Sequence, residues 1–171
     1  MGKVMKIAIT ESLNSFEHDY LMGWKESVFP IEGQSICWSS LSHHILAREN
    51  NKPIAHIGFG EFTIQTQSES YKVIGVGGVV VRPEFQGKNI PSLLFKKLHE
   101  SQIALNYSNL FALFCPARLV PYYTKHGYSL YRGPVSFMQD DGLRKSSFNF
   151  MIRGLKIKNQ DLNLTVPTKP W

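Results

Sequence analysis

The chain has 171 residues, of which 43% are hydrophobic, and it carries a formal net charge of +6. The charge is uneven, because residues 1–70 carry −3 (five basic, eight acidic) and residues 71–171 carry +9 (fourteen basic, five acidic). This composition excludes a disordered chain, and we expect neither a secretory signal nor a membrane-spanning segment, since no apolar run is long enough to cross a bilayer. We therefore expect a cytoplasmic globular protein with an anionic partner.

The spacing of apolar residues predicts the element order β-α-β-β-β-α-β-α-β. In chain order these elements are the strand 3–10, the helix 15–28, the strands 42–49, 54–65 and 71–82, the helix 90–106, the strand 110–115, the helix 121–126, and further strands within 128–132, 137–139 and 146–153. Ser15 is the expected N-cap of the first helix. The tail after Asn159 shows no clear period. A single mixed α/β domain over residues 1–171 follows.

The turn between the strand 71–82 and the helix 90–106 carries the sharpest chemical signal. A strand ends, a polar loop follows, and an amphipathic helix begins, with Ile90, Leu93, Leu94, Leu98 and Leu105 on one predicted face. Backbone N–H groups of such a loop lie at the positive end of the helix dipole and can bind phosphate. Lys88 adds a positive charge beside them. A plain strand-to-helix turn is the alternative.

The loop resembles the acyl-CoA-binding motif of the GNAT superfamily of N-acetyltransferases. Val81, Pro83, Gln86, Gly87 and Lys88 match this motif. A second family element, a strand followed by a short helix with Tyr-x-x-x-Gly-Tyr, is matched by residues 110–115 and 123–128 at the usual separation. The resemblance implies an α/β GNAT fold, with a central mixed, mostly antiparallel twisted sheet of six to seven strands, splayed parallel strands 71–82 and 110–115, and flanking helices.

The resemblance also implies acetyl-CoA as cosubstrate. The implied cofactor-binding residues are Val79, Val80, Val81, Gln86, Gly87, Lys88, Asn89, Ile90, Pro91 and Ser92. Two of them depart from the motif, because Asn89 stands where the family has glycine and Pro91 where it has a small residue. Asparagine tolerates a left-handed backbone, so the turn can form, whereas Pro91 has no N–H to donate to a phosphate.

In the family, the thioester lies between the two splayed strands. Gly75, Gly77 and Gly78 fit a bulge that opens this gap. Tyr123 aligns with the tyrosine that protonates the leaving thiolate, and its ordinary pKa of about 10 would nearly balance that transfer. The alternative is that Tyr123 is only a packed aromatic residue.

The ends of the chain look like those of the aminoglycoside 2′-N-acetyltransferases. The likeness lies in residues 131–136, 140–142 and 54–56 and in the terminal Trp171. Those enzymes carry acidic residues at two positions that appear here as Gly77 and Lys169. Because an aminoglycoside is a polycation, we expect a similar architecture with a different substrate.

The resemblance predicts transfer of an acetyl group to a primary amine of a small molecule by direct attack. The general base is unassigned among Glu61, His56 and the Trp171 carboxylate, and these three are also the candidate acceptor-binding residues. Glu61 could instead be a solvated strand charge and His56 a satisfied buried histidine. Residues 155–171 could close the acceptor site, with Trp171 as a lid, or Trp171 could lie at a frayed end.

The basic second half of the chain leaves other partners and functions open. An acyltransferase that uses an acidic acyl carrier protein, and a non-catalytic acyl-CoA-binding module, are the alternatives, and a homodimer stays open. Nucleic acid is not expected, because the basic residues are scattered rather than clustered with aromatics. We expect no metal site, since His43 and His44 lack further ligands nearby. Cys115 is expected to pack in the core.

Overall fold

The computed structural model describes residues 2–23, 36–154, 157 and 162–171. Ten strands lie within these residues: β1 Met5–Thr10, β2 His43–Glu49, β3 Lys52–Gln65, β4 Ser70–Val81, β5 Phe111–Cys115, β6 Ser129–Leu130, β7 Val135–Gln139, β8 Gly142–Lys145, β9 Asn149–Arg153 and β10 Leu164–Val166. The α-helices of the described part are α1 Ser15–Met22, α2 Ile90–His99, α3 Gln102–Leu105 and α4 Val120–Thr124. None of these helices is long and apolar enough to cross a bilayer.

The strands form one sheet in the order β6-β9-β5-β4-β3-β10-β7-β8, to which β2 is added along β3 and β1 along β2. The pairs β4–β5 and β7–β10 are parallel, and the other pairs are antiparallel. The predicted mixed, mostly antiparallel α/β sheet with parallel strands and flanking helices is confirmed. The predicted number of six to seven strands is too small.

Short strands account for the difference in number. β10 has three residues in a tail that was predicted to have no clear period, and β8 has four residues, of which two are exposed and two half-buried. β10 pairs with both β3 and β7, and its Leu164 and Val166 are fully buried. Pairing with strands that are distant in sequence therefore stabilises β10, and local strand propensity was not sufficient to predict it.

Helix α2 packs on one face of the sheet. Its buried residues are Ile90, Leu94, Phe95 and Leu98, whereas Leu93, which was predicted on the same face, is 40% exposed. The predicted continuous helix over 90–106 is wrong, because α2 ends at His99 and the extended backbone of Ser101 (ψ 121°) separates it from α3. The sheet face beneath α2 and the opposite face each carry a separate apolar cluster.

Helix α1 starts with a capping box. The Asn14 side chain accepts the Glu17 N–H at 2.8 Å, and the Glu17 carboxylate accepts the Asn14 N–H at 3.1 Å. The N-cap is therefore Asn14 and not Ser15, because only the asparagine carbonyl reaches the third helical amide. The helix ends at Met22. The predicted continuation to residue 28 lies outside the described residues.

Candidate functional site

Strands β4 and β5 separate soon after they meet. They are paired only at Ile74 with Phe111 and at Gly75 with Ala112. Beyond these pairs β4 continues to Val81 along β3, and β5 continues to Cys115 along β9. The splayed parallel strands predicted by the family resemblance are confirmed. The gap between them exposes one edge of β4 from Val76 onward.

A β-bulge in β4 lies beside this gap. The step from Gly77 to Val80 in β4 spans three residues opposite the two-residue step from Gly58 to His56 in β3. Gly78 has φ +57°, a conformation that favours glycine, and its carbonyl accepts a hydrogen bond from His56 Nδ1 at 2.6 Å. The predicted glycine bulge is therefore present, and Gly78 is its left-handed residue.

The two neighbouring glycines make room for Trp171. A Cβ on Gly75 would lie 2.6 Å from the indole, and a Cβ on Gly77 would lie 3.3 Å from the main-chain carbonyl carbon of Trp171. The indole stacks on Phe62, and its N–H donates to the Ala112 carbonyl at 3.0 Å. Trp171 is 5% exposed, so the alternative that it lies at a frayed end is wrong.

A cavity of about 610 Å³ opens at the gap. Its wall combines the β4 bulge, the end of β5, and residues of α1, α4, β2 and β3: Leu13, His18, Met22, residues 38–41, His44, His56, residues 76–80, residues 114–116, Tyr123, Phe148 and Trp171. Most of these side chains are apolar, and no Asp or Glu is among the described lining residues. The imidazole side chains of this wall are His18, His44 and His56, and the main chain of Trp171, whose carboxylate is a candidate base, also borders it.

The loop after β4 presents backbone amides at the start of α2. The Arg82 N–H donates to the Ile54 carbonyl at 2.9 Å, which ties the loop to β3. Gly87 (φ +76°) and Asn89 (φ +59°) both adopt the left-handed conformation, so asparagine does replace the family glycine without loss of the turn. No hydrogen bond joins the N–H groups of Gly87, Lys88, Asn89 or Ser92 to another described residue. These amides point to an anion site.

Two residues of the loop have structural contacts of their own. The Gln86 N–H donates to the Pro83 carbonyl, and its side-chain amide donates to the Val81 carbonyl at 3.2 Å. Gln86 therefore holds the loop together and does not offer its own amide. The Lys88 ammonium lies 4.8 Å from the centre of the Phe85 ring, next to the open amides. Pro91 lies in the first turn of α2, where its missing N–H disturbs no helical hydrogen bond.

Tyr123 is a buried residue of α4 that lines the cavity. Its hydroxyl makes no hydrogen bond to another described residue. Burial, followed by the neighbouring Tyr122 and Cys115, raises the pKa of Tyr123 well above its usual range. The balanced proton transfer expected at the ordinary pKa does not fit this environment. Tyr123 keeps its proton and is a hydrogen-bond donor toward the cavity.

The candidate bases differ in position. His56 is 1% exposed, and both of its ring nitrogens have partners, because Nδ1 meets the Gly78 carbonyl and Nε2 lies 2.9 Å from His44 Nδ1. Burial lowers the pKa of His56 to about 4, so it is neutral at pH 7. Glu61 is exposed, and it lies five residues from His56 on a regular strand, hence on the opposite face. The structure does not bring Glu61 to the cavity.

Sequence reasoning missed His44 and the aromatic residues Trp38 and Phe148 as cavity residues. His44 pairs with Gly58 in the β2–β3 register, which places its ring next to that of His56. Two histidines on neighbouring antiparallel strands can lie side by side, but only the strand register shows that these two do. Cys115 is buried in the core as expected, and burial raises the pKa of its thiol to about 11. The described residues contain no group of three His, Cys, Asp or Glu side chains placed to hold a metal ion.

A family comparison identifies this arrangement. The family model described as the acetyltransferase (GNAT) domain matches residues 15–131, which include the bulge, the amide loop, β5 and α4. The chain belongs to the GNAT acetyltransferase family. Comparison with curated protein sequences returned no match. The GNAT assignment agrees with the loop and the splayed strands, whereas the likeness to the aminoglycoside enzymes rests on sequence motifs alone.

Solved structures share the fold over nearly the whole chain. A GNAT family N-acetyltransferase (YhbS) from Escherichia coli, solved in complex with CoA, covers 98% of this chain and 93% of its own, with a TM-score of 0.58 and 11% identity. An acyl-CoA N-acyltransferase from Pseudomonas aeruginosa covers 88% and 100%, with a TM-score of 0.55 and 18% identity. A GNAT family acetyltransferase from Streptococcus pneumoniae covers 88% and 100%, with a TM-score of 0.55 and 14% identity. At these identities the likeness concerns the GNAT fold.

Proposed function

We propose that this GNAT protein transfers an acetyl group from acetyl-CoA to a primary amine of a small molecule by direct attack. One observation carries the proposal: a loop of open amides, a left-handed bulge and a gap between parallel strands follow one another along β4. A phosphate-binding turn and a slot for a thioester are the two features that an acyl-CoA ligand needs.

The pyrophosphate of CoA would lie at the start of α2. The amides of Gly87, Lys88, Asn89 and Ser92 supply donors, the helix dipole adds a partial positive charge, and the Lys88 ammonium is adjacent. Pro91 leaves one donor fewer than the family motif has. The thioester would lie in the gap, where the amides of Val79 and Val81 on the open edge of β4 can hold the pantetheine arm and polarise the carbonyl.

The cavity wall favours an acceptor amine on an apolar scaffold. Trp38, Phe114 and Phe148 supply aromatic surface, and the described wall has no Asp or Glu side chain that could attract a polycation. We therefore expect arylalkyl and alkyl amines to be better acceptors than polyamines or aminoglycosides. Thiol release from acetyl-CoA, measured with a panel of such amines, tests this order. Faster release with the polycations would contradict it.

Tyr123→Phe provides the mechanistic test. We expect turnover to fall by about 10²-fold, since the departing thiolate would lose a buried hydroxyl donor of the cavity wall, while the affinity for acetyl-CoA changes little. Tyr122→Phe is the matched control, because Tyr122 is adjacent, half-buried, and outside the cavity wall. Steady-state thiol release and calorimetric binding measure the two quantities. Equal turnover in both variants would remove Tyr123 from the mechanism.

An acyl carrier protein is the second candidate donor. The +9 charge of residues 71–171 favours an acidic protein partner, and the donor lost at Pro91 weakens the case for CoA. If the protein binds an acyl carrier protein, if added salt weakens that binding, and if acetyl-CoA does not bind, the carrier protein is the donor. Binding of acetyl-CoA without transfer to any amine would instead indicate a non-catalytic module.

A further inference from the structure

His44, His56 and the Gly78 carbonyl form a hydrogen-bonded chain in which the position of every proton can be derived. The Gly78 oxygen can only accept, so His56 Nδ1 carries a proton and donates it at 2.6 Å. Because burial keeps His56 neutral at pH 7, its Nε2 has a lone pair and accepts. His44 Nδ1, 2.9 Å away, must then be the donor of the second hydrogen bond.

This series of hydrogen bonds leaves His44 Nε2 without a proton. That nitrogen has no hydrogen-bond partner among the described residues, and it is not one of their buried unpaired polar atoms, so it is accessible. His44 lines the same cavity as the β4 bulge and Tyr123. An accessible imidazole nitrogen with a free lone pair is thus held at the place where the acceptor amine would enter.

We propose that His44 is the general base of acetyl transfer, acting through Nε2, and that His56 is a positioning residue that fixes its tautomer. This inference rests on the proposed function. It differs from the expectation drawn from the sequence, in which His56 itself was a candidate base. His56 has no free nitrogen for that role, since the backbone of the bulge occupies one and His44 the other.

The proton count of the step is balanced. The amine nitrogen forms a bond to the thioester carbonyl carbon, and the resulting ammonium loses one proton to His44 Nε2. The C–S bond then breaks and releases the thiolate, which accepts a hydrogen bond from Tyr123 and takes up one proton to leave as CoA thiol. The imidazolium of His44 returns its proton to solvent. Amine and acetyl thioester become amide and thiol without any further reactant.

The surroundings of His44 set the pH range of the step. Burial and the adjacent His43 lower the pKa of His44 below its ordinary 6.5, and Glu17 of α1 opposes this shift. Other titratable side chains of the described cavity wall are His18 on α1, His56 on β3, Cys115 on β5 and Tyr123 on α4, and the main chain of Trp171 also borders the cavity. Since the base works only when deprotonated, turnover falls as the pH drops through this pKa.

Kinetics of His44→Ala test the assignment. We expect turnover to fall by about 10²-fold or more, the acidic limb of the pH profile to disappear, and the acetyl-CoA affinity to stay within twofold. Added imidazole should restore part of the turnover to His44→Ala and none to Tyr123→Phe. His43→Gln is the matched control, because His43 lies next to His44 on the opposite face of β2, where it stacks on Phe59. It should retain full turnover at pH values well above the pKa of His44, to whose shift His43 contributes.

Nitrogen-15 NMR of the histidine rings tests the geometry without substrate. His44 and His56 should both carry the proton on Nδ1 at neutral pH, whereas free histidine favours Nε2. A proton on His44 Nε2, or full turnover in His44→Ala, would overturn the inference and leave the transferase proposal intact. If the unmodified protein neither binds acetyl-CoA nor acylates any amine, the proposed function fails, and the role of His44 fails with it.

Discussion

Replacing Gly78 by valine should reduce acetyl transfer by at least about 10²-fold, because the β4 bulge cannot keep its shape with a β-branched residue. Gly78 has φ +57°, which valine avoids, and an added Cβ would lie 3.1 Å from Cε1 and 3.3 Å from Nδ1 of the His56 ring. The His56 ring or the bulge must move, and displacements of about 1 Å near reacting groups cost about 10²-fold in rate.

Gly78→Asn separates backbone conformation from side-chain volume. Asparagine tolerates the left-handed conformation, so this variant keeps more of the bulge, and we expect its loss of transfer to be smaller than that of Gly78→Val. Values of kcat/KM for thiol release, with circular dichroism to confirm folding, compare the two. Transfer by Gly78→Val at the rate of the unmodified protein would show that the bulge does not position the thioester or the histidines.

Trp171→Ala should lower the free energy of unfolding by about 3–5 kcal/mol. The indole packs against Gly75, with ring centroids 4.3 Å from Phe62, 5.3 Å from Phe114 and 6.2 Å from Phe150. Its N–H also satisfies the Ala112 carbonyl. Removing it leaves a cavity beneath Gly75 and an unpaired buried carbonyl, and both changes destabilise the fold.

Two controls refine this result. Trp38→Ala removes the same side chain from a position that is 39% exposed, and it should cost less than about 1.5 kcal/mol. Trp171→Phe keeps an aromatic ring but loses the indole donor, so its cost should lie between the other two. Urea denaturation measures all three. A change of less than about 1 kcal/mol in Trp171→Ala would contradict a packing role for this residue.

The parts of the fold that follow local chemistry could be predicted from the sequence. Gly78 and Gly87 are glycines at positions with positive φ, and Asn89 is a residue that tolerates such a conformation. The bulge and the loop could therefore be predicted from the sequence. The end of α2 at His99 and the strand β10 could not be predicted in this way. They depend on the backbone of Ser101 and on pairing with β3 and β7, which no local pattern shows.

In the candidate site, too, residues within one continuous motif could be predicted, whereas those that depend on packing or strand register could not. The family motif placed the amide loop and Tyr123, because each belongs to one continuous segment of sequence. The raised pKa of Tyr123 follows from burial, which depends on the packing of α4 against the sheet. His44 required the register of β2 on β3, since only that pairing places its ring next to His56. Glu61 failed as a candidate because strand alternation puts it on the far face.

The central claim is that backbone amides at the start of α2 hold the pyrophosphate of an acyl-CoA, while the gap between β4 and β5 holds its thioester. A titration of the nitrogen-15-labelled protein with acetyl-CoA, followed by amide NMR, tests it directly. We expect binding at sub-millimolar concentration, with the largest shifts at the amides of residues 87–90, Ser92 and residues 79–81. Unchanged amide signals at millimolar acetyl-CoA, or shifts confined to other surfaces, would contradict the account.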